Sequence, residues 1–327
     1  MIPSLSSLPG FSRNLEKNVW ADFAELSCLI SPDKEISLGD MINITSGDEA
    51  DGPQRGSDET GAQEDLYRQQ VLDVFSYLKN RAAILPDCYP FVFIDNDTIS
   101  IDIGNLSAEK ELYLFLLYCS NLSRFTPSER HTLTKEFEIL SRVVLAKIYP
   151  TYHVDIFGTA SSPEDMFYGK NLIDRMEKLA KCMHTELTPN TKSNPRYANP
   201  SGDGGMDLVG FSDLDAQNAG VSLIPLCFAQ CACSVDHWKD KQSSIKYDTW
   251  NQRFLQLPRY CEFIFVPFSL RGSDGKWNPA DADQMTVIPI DRIRFLHILS
   301  AQENPFDFFS SSKSKEIMDE SISQLSK

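Results

Sequence analysis

Apolar residues recur at helical spacing from Asn14 to Ile30, where Leu15, Val19, Phe23 and Leu26 share one face. This marks 1–43 as an N-terminal helical segment. Residues 44–64 are dominated by Gly, Ser, Asp and Glu, a composition that cannot build a core and predicts an acidic flexible linker. From Glu64 to Ile84 the residues Leu66, Val71, Val74, Phe75 and Leu78 form a second amphipathic stripe, stopped by Pro86. Residues 90–103 alternate as a hairpin with Asn96-Asp97 at its turn, and Ala108–Leu122 is apolar enough to be a buried helix. The region 65–129 thus reads as helices with one hairpin. Pro127 and Ser128 open a helix to about Ile148, with Leu133, Phe137, Leu140, Val144, Leu145 and Ile148 as its stripe.

Beyond it the pattern changes period. A further helical stretch, 164–184, gives way to an irregular Pro-, Asn- and Ser-rich loop over 186–204. Two nearly continuous apolar runs follow. One begins with Leu208-Val209-Gly210 and the other spans Val221 to Ala229, as expected of strands buried on both faces. A helix is expected over Asp236–Leu255, strands at Glu262–Pro267 and Thr286–Ile290, and a helix from Asp291. The polar tail 301–327, with Ser310-Ser311-Ser312, is expected to fray. Strands alternating with helices predict an α/β fold.

The chemistry concentrates at the ends of the two apolar runs. The first is entered through Gly202-Asp203-Gly204-Gly205-Met206-Asp207, and the second ends in Gln230-Cys231. A carboxylate is unfavourable at the start of a strand unless it caps a turn or binds something. An amide at the end of a buried strand must find a partner. Asp203, between glycines, suits a turn; Asp207 and Gln230 are better placed to supply oxygen donors for a hard cation.

This arrangement resembles the PD-(D/E)XK nuclease superfamily, also called restriction-endonuclease-like, and within it the Mrr-like branch, in which Gln stands for the second acid. The resemblance covers roughly 130–300. It implies a mixed sheet flanked by helices, with the helical N-terminal region outside it. It further implies a Mg2+-dependent DNA endonuclease of prokaryotic restriction or anti-phage defence, with Mn2+ as a substitute ion. Asp207, Gln230, Lys241 and Glu138 are then the catalytic candidates. Asp207, Glu138 and the Cys231 carbonyl are the metal ligands. The family's lysine position, two after Gln230, holds Ala232 here. The resemblance therefore assigns that role to a lysine moved onto the following helix, Lys241 first and Lys239 second.

Charge and cysteine content refine the picture. A net charge of −15 over 327 residues excludes DNA coating by bulk charge, so a DNA groove would have to be local. Lys239, Lys241, Lys246, Arg253 and Arg259 are its candidates, and a solvated helix face is the plain alternative. The eight cysteines sit mostly within apolar runs, which suits free thiols in a reducing compartment. Cys227, Cys231, Cys233 and His237 lack the paired spacing of structural zinc sites. No apolar run reaches the roughly 18 residues of a membrane span, and Met1–Leu5 does not read as a signal peptide. A cytoplasmic protein whose partner is DNA, without membrane contact, is the expectation. The rival is a degenerate nuclease-fold subunit that binds nucleic acid, a regulatory protein or its own copy. A third reading is a metabolic α/β enzyme in which Asp207 merely ends a turn.

Overall fold

The computed structural model describes residues 17–47, 57–198, 204–214, 224–272, 274–301 and 307–326. Asp203 and residues 48–56 of the expected linker lie outside them. The chain divides into two compact units: 1–130 with 268–282 and 303–327, and 131–267 with 283–302. The first therefore gathers segments that the sequence reading kept apart.

In the first unit α1 (Lys17–Ile30) leads to β1 (Glu35–Ser37), α2 (Leu38–Gly47) and the long α3 (Ser57–Ile84). Helix thus occupies 44–47 and 57–64, within the stretch read as linker. β2 (Phe91–Phe93) and β3 (Thr98–Ile101) form the expected hairpin, and β1 adds to β3 in an antiparallel sheet of order β1-β3-β2. α4 (Ala108–Cys119) is buried along Leu112–Cys119. The frayed tail is overturned: a helix spans Lys313–Leu325 and buries Met318 and Leu325. Ser312 caps it, and Lys315 pairs with Glu111 of α4 at 3.0 Å. Its apolar stripe is sparse because Ser314 and Ser321 supply buried small contacts.

An ion cluster lies in the interior of this unit. The Arg81 guanidinium bridges Asp22 at 2.7 Å and Glu25 at 2.8 Å, all three nearly inaccessible. The Tyr89 and Tyr113 hydroxyls donate to Glu25 at 3.0 and 2.9 Å. Buried charge requires this degree of pairing.

The second unit is built on five strands in the order β4-β5-β6-β7-β8. Helix α5 (Pro127–Ile148) leads into β4 (His153–Ile156), which pairs antiparallel with β5 (Leu208–Phe211); β5 pairs antiparallel with β6 (Leu226–Cys231). β7 (Cys261–Phe265) then runs parallel to β6, and β8 (Ile288–Ile290) parallel to β7. Both expected apolar strands are present, and every residue of β5 and β6 is buried. The protein is therefore α/β, with a five-stranded mixed sheet and a three-stranded antiparallel sheet flanked by helices.

Two helices differ from expectation. The stretch 164–184 is helical only as α6 (Leu172–Cys182), capped by Asn171, which accepts from the Asp174 amide. Short α7 (Pro189–Lys192) interrupts the following loop. The single helix expected over Asp236–Leu255 is α8 (Trp238–Lys241), a 3-10 turn over Gln242–Ile245, and α9 (Tyr247–Asn251). Lys246 is extended at ψ 143°, and the Ser243 and Ser244 hydroxyls bond to nearby carbonyls instead of leaving the helix ladder intact. Trp238 and Trp250 therefore sit on different helices, both fully buried.

Candidate functional site

Asp207 is the residue just before β5, and its backbone is held from both sides. Its N–H donates to the Ala229 carbonyl, while its own carbonyl accepts from the amides of Phe157 and Gly158. The side chain is 3% exposed. Asp207 Oδ2 accepts from Gln230 Nε2 at 2.6 Å and from the Cys231 amide at 2.7 Å.

Gln230 is buried at the end of β6. Its Nε2 faces two acceptors, Asp207 Oδ2 and the Cys231 carbonyl at 3.2 Å, which fixes the sense of the amide. Its Oε1 lies 3.1 Å from Ser244 Oγ, and Ser244 Oγ is 2.6 Å from the Gly205 carbonyl. Ser244 thereby ties the glycine turn to the end of β6. Gly205 has φ +78°, and a Cβ there would fall 2.3 Å from the Ser244 Cβ, so the turn requires glycine on both conformational and steric grounds.

The other carboxylate oxygen faces a different space. A Cβ on Gly158 would lie 2.9 Å from Asp207 Oδ1 and 3.4 Å from Glu138 Oε2. Half-buried Glu138 of α5 and Asp207 thus both pack against the side of Gly158 where a Cβ would stand. Lys241, on α8, reaches the same strand end and donates from Nζ to the Cys231 carbonyl at 3.2 Å. Lys239 turns elsewhere, its Nζ 5.6 Å from the Trp238 ring centroid. Ala232, two positions after Gln230, is fully buried.

The electrostatics follow the geometry. Burial pushes the Cys231 thiol well above its usual range, and the charges of Asp207 and Glu138 push it further. Burial also raises Cys233, which the Lys241 ammonium partly opposes. Both thiols are neutral packing groups. Asp207, Glu138, Gln230, Cys231 and Lys241 are thus brought together. Among the described residues no group of three or more His, Cys, Asp or Glu side chains is arranged to hold a metal ion. The oxygens at this point are two carboxylate oxygens and the Cys231 carbonyl, all hard donors, but the carbonyl already accepts from Gln230 Nε2 and Lys241 Nζ.

Gly158 and Ser244 are the residues the sequence reading missed. A glycine directly after a strand-forming stretch could have marked Gly158 as a close approach; nothing distinguishes Ser244 from its neighbour Ser243. No protein-family model, no curated protein and no solved structure matches this chain.

Proposed function

We propose that the protein is a Mg2+-dependent endodeoxyribonuclease of the restriction-endonuclease-like type, acting in prokaryotic restriction or anti-phage defence. The observation that carries this reading is the convergence of Asp207, Glu138 and Lys241 around the end of β6. The order of elements supports it: a helix bearing Glu138, an antiparallel β4-β5-β6 meander with Asp207 and Gln230, and a parallel β7 after the α8 segment.

Asp207 Oδ1 and Glu138 Oε2 are the carboxylate oxygens that would hold the ion, and the Cys231 carbonyl would join them on giving up its hydrogen bond from Lys241. When bound, Mg2+ supplies Lewis acidity toward a phosphate oxygen and acidifies a water. The chain's own groups have separable roles. Gln230 and the Cys231 amide immobilise Oδ2, so Oδ1 is the Asp207 oxygen on the side of Gly158 and Glu138. Lys241 brings a positive charge on a short helix to the same point, suited to stabilising negative charge on a phosphate.

A second reading is favoured by one specific contact. Gln230 presents its N–H to Asp207 rather than an oxygen outward, and with Ala232 this suits a nuclease fold that binds DNA or a regulatory protein without cutting.

The two readings separate on supercoiled plasmid incubated with Mg2+ or Mn2+. Nicking by the wild type that is absent in Asp207→Ala, Glu138→Ala and Lys241→Ala establishes the nuclease. An intact plasmid alongside retained DNA binding establishes the binding subunit.

A further inference from the structure

Arg253 follows α9 in the second unit and is 7% exposed, yet its Nε and Nη1 are buried without a hydrogen-bond partner among the described residues. Two aromatic rings hold the guanidinium: Trp250 at 4.0 Å and Tyr197 at 5.3 Å from ring centroid to Cζ. Burial lowers its pKa and the Tyr197 phenol opposes this through its charge and a side-chain hydrogen bond, which leaves Nε and Nη1 as the idle donors; arginine nevertheless stays charged at neutral pH. A buried cation with idle donors is costly unless an acceptor meets them. Gly204, at φ +66°, passes directly over it: a Cβ there would lie 2.8 Å from Arg253 Nη1. Gly204 and Tyr197 are only half-buried, so the guanidinium lies one residue beneath the surface.

The guanidinium is linked to the candidate site through Trp250 and Ser244. Trp250 Nε1 donates to the Ser244 carbonyl at 2.8 Å, and Ser244 Oγ contacts both Gly205 and Gln230. Gly204 is three positions before Asp207. Gly204 sets main chain rather than a side chain against Arg253 Nη1, with Leu172 beside it, and the planar fork of arginine matches a phosphate.

We propose that Arg253 is a phosphate-binding residue that holds a backbone phosphate of DNA over Gly204, one step along the strand from the phosphate at Asp207. The choice of DNA as the source of the phosphate rests on the nuclease reading; the anion site itself does not.

The test measures anisotropy of a fluorescein-labelled DNA duplex in EDTA, so that cutting plays no part. It compares wild type, Arg253→Met, Arg253→Lys and Asp207→Ala, with melting temperatures in inorganic pyrophosphate alongside. The expected result is about a tenfold weaker duplex affinity in Arg253→Met, the loss of one charge-assisted contact. Arg253→Lys, which keeps the charge and loses the fork, should be intermediate, and Asp207→Ala should bind like wild type. Pyrophosphate should raise the melting temperature of wild type and not of Arg253→Met. Wild-type affinity in both folded Arg253 variants overturns the proposal and leaves the nuclease reading standing. If Arg253→Met does not fold, Arg253→Lys alone decides. If wild type binds no duplex, the nuclease reading fails; the anion site then stands if pyrophosphate stabilises wild type over the Arg253 variants, and falls if it does not.

Discussion

Gln230 and Asp207 meet side chain to side chain at 2.6 Å, both buried, with the amide as donor and the carboxylate as acceptor. The contact commits one Asp207 oxygen to the sheet and leaves the other toward Gly158 and Glu138. Converting the amide to an acid reverses its sense. Gln230→Glu would set two carboxylates against each other, a repulsion a divalent cation relieves. The variant should lose about 1–3 kcal/mol in EDTA and regain more stability from added Mg2+ than wild type does. Melting temperatures with and without Mg2+ check this; equal Mg2+ responses would show that no cation sits between these groups.

Gly158→Ala tests the space rather than the charges. The new Cβ would lie 2.9 Å from Asp207 Oδ1 and 3.1 Å from Asp207 Cα, and the backbone atom cannot swing away as a long side chain would. Overpacking of this kind costs about 1–3 kcal/mol. The shift falls on Asp207, so plasmid nicking should drop far more than stability. Urea unfolding beside the nicking assay separates the two, and full activity in a folded variant would mean the volume over Gly158 is not part of the site.

How much of this was legible in the chain depended on length and period. β5 and β6 were readable because burial on both faces gives uninterrupted apolar runs, and Asp207 and Gln230 stood out as polar groups at their ends. Four-residue β4, His153-Val154-Asp155-Ile156, carries too few residues to show a period, so the strand that brings Gly158 to Asp207 was invisible. β1 is shorter still and gains its place only by pairing with β3. The break in the α8–α9 segment was hidden because its apolar spacing still fits a helix. Serine hydroxyls competing for backbone carbonyls decide that break, and they also bring Ser244 to Gln230.

The ion cluster of the first unit predicts a large and asymmetric stability effect. Arg81→Met removes the cation that Asp22 and Glu25 share in the interior. Breaking a buried pair from one side costs about 3–5 kcal/mol, because a charge is left uncompensated. Adding Glu25→Gln and Asp22→Asn to Arg81→Met should return part of that loss. Urea unfolding of the single and triple variants measures it. A triple variant less stable than Arg81→Met would show that the carboxylates contribute chiefly through their hydrogen bonds, such as those from Tyr89 and Tyr113.

Alkaline pH should unfold the protein through its thiols before its phenols. Burial pushes Cys28 and Cys227 up from 9.0 to about 12, with Glu25 adding to Cys28. In the folded chain these thiols keep their protons where the unfolded chain releases them. Their stabilising contribution is therefore intact below pH 9 and is lost as pH rises toward 12. Each raised thiol contributes a slope of up to about 1.4 kcal/mol per pH unit in that window. The buried phenols of Tyr77 and Tyr118 start from 10.0, so the interval from 9.0 to 10.0 belongs mainly to cysteine. Cys28→Ala gives up the Sγ contacts to the Lys34 and Ile99 carbonyls at 3.3 and 3.5 Å and should be less stable than wild type at neutral pH. It should nevertheless show a shallower fall from about pH 9 to pH 10. Urea unfolding free energies at three pH values across that interval measure both slopes, and parallel slopes would mean that Cys28 ionises as readily in the folded chain as in the unfolded one.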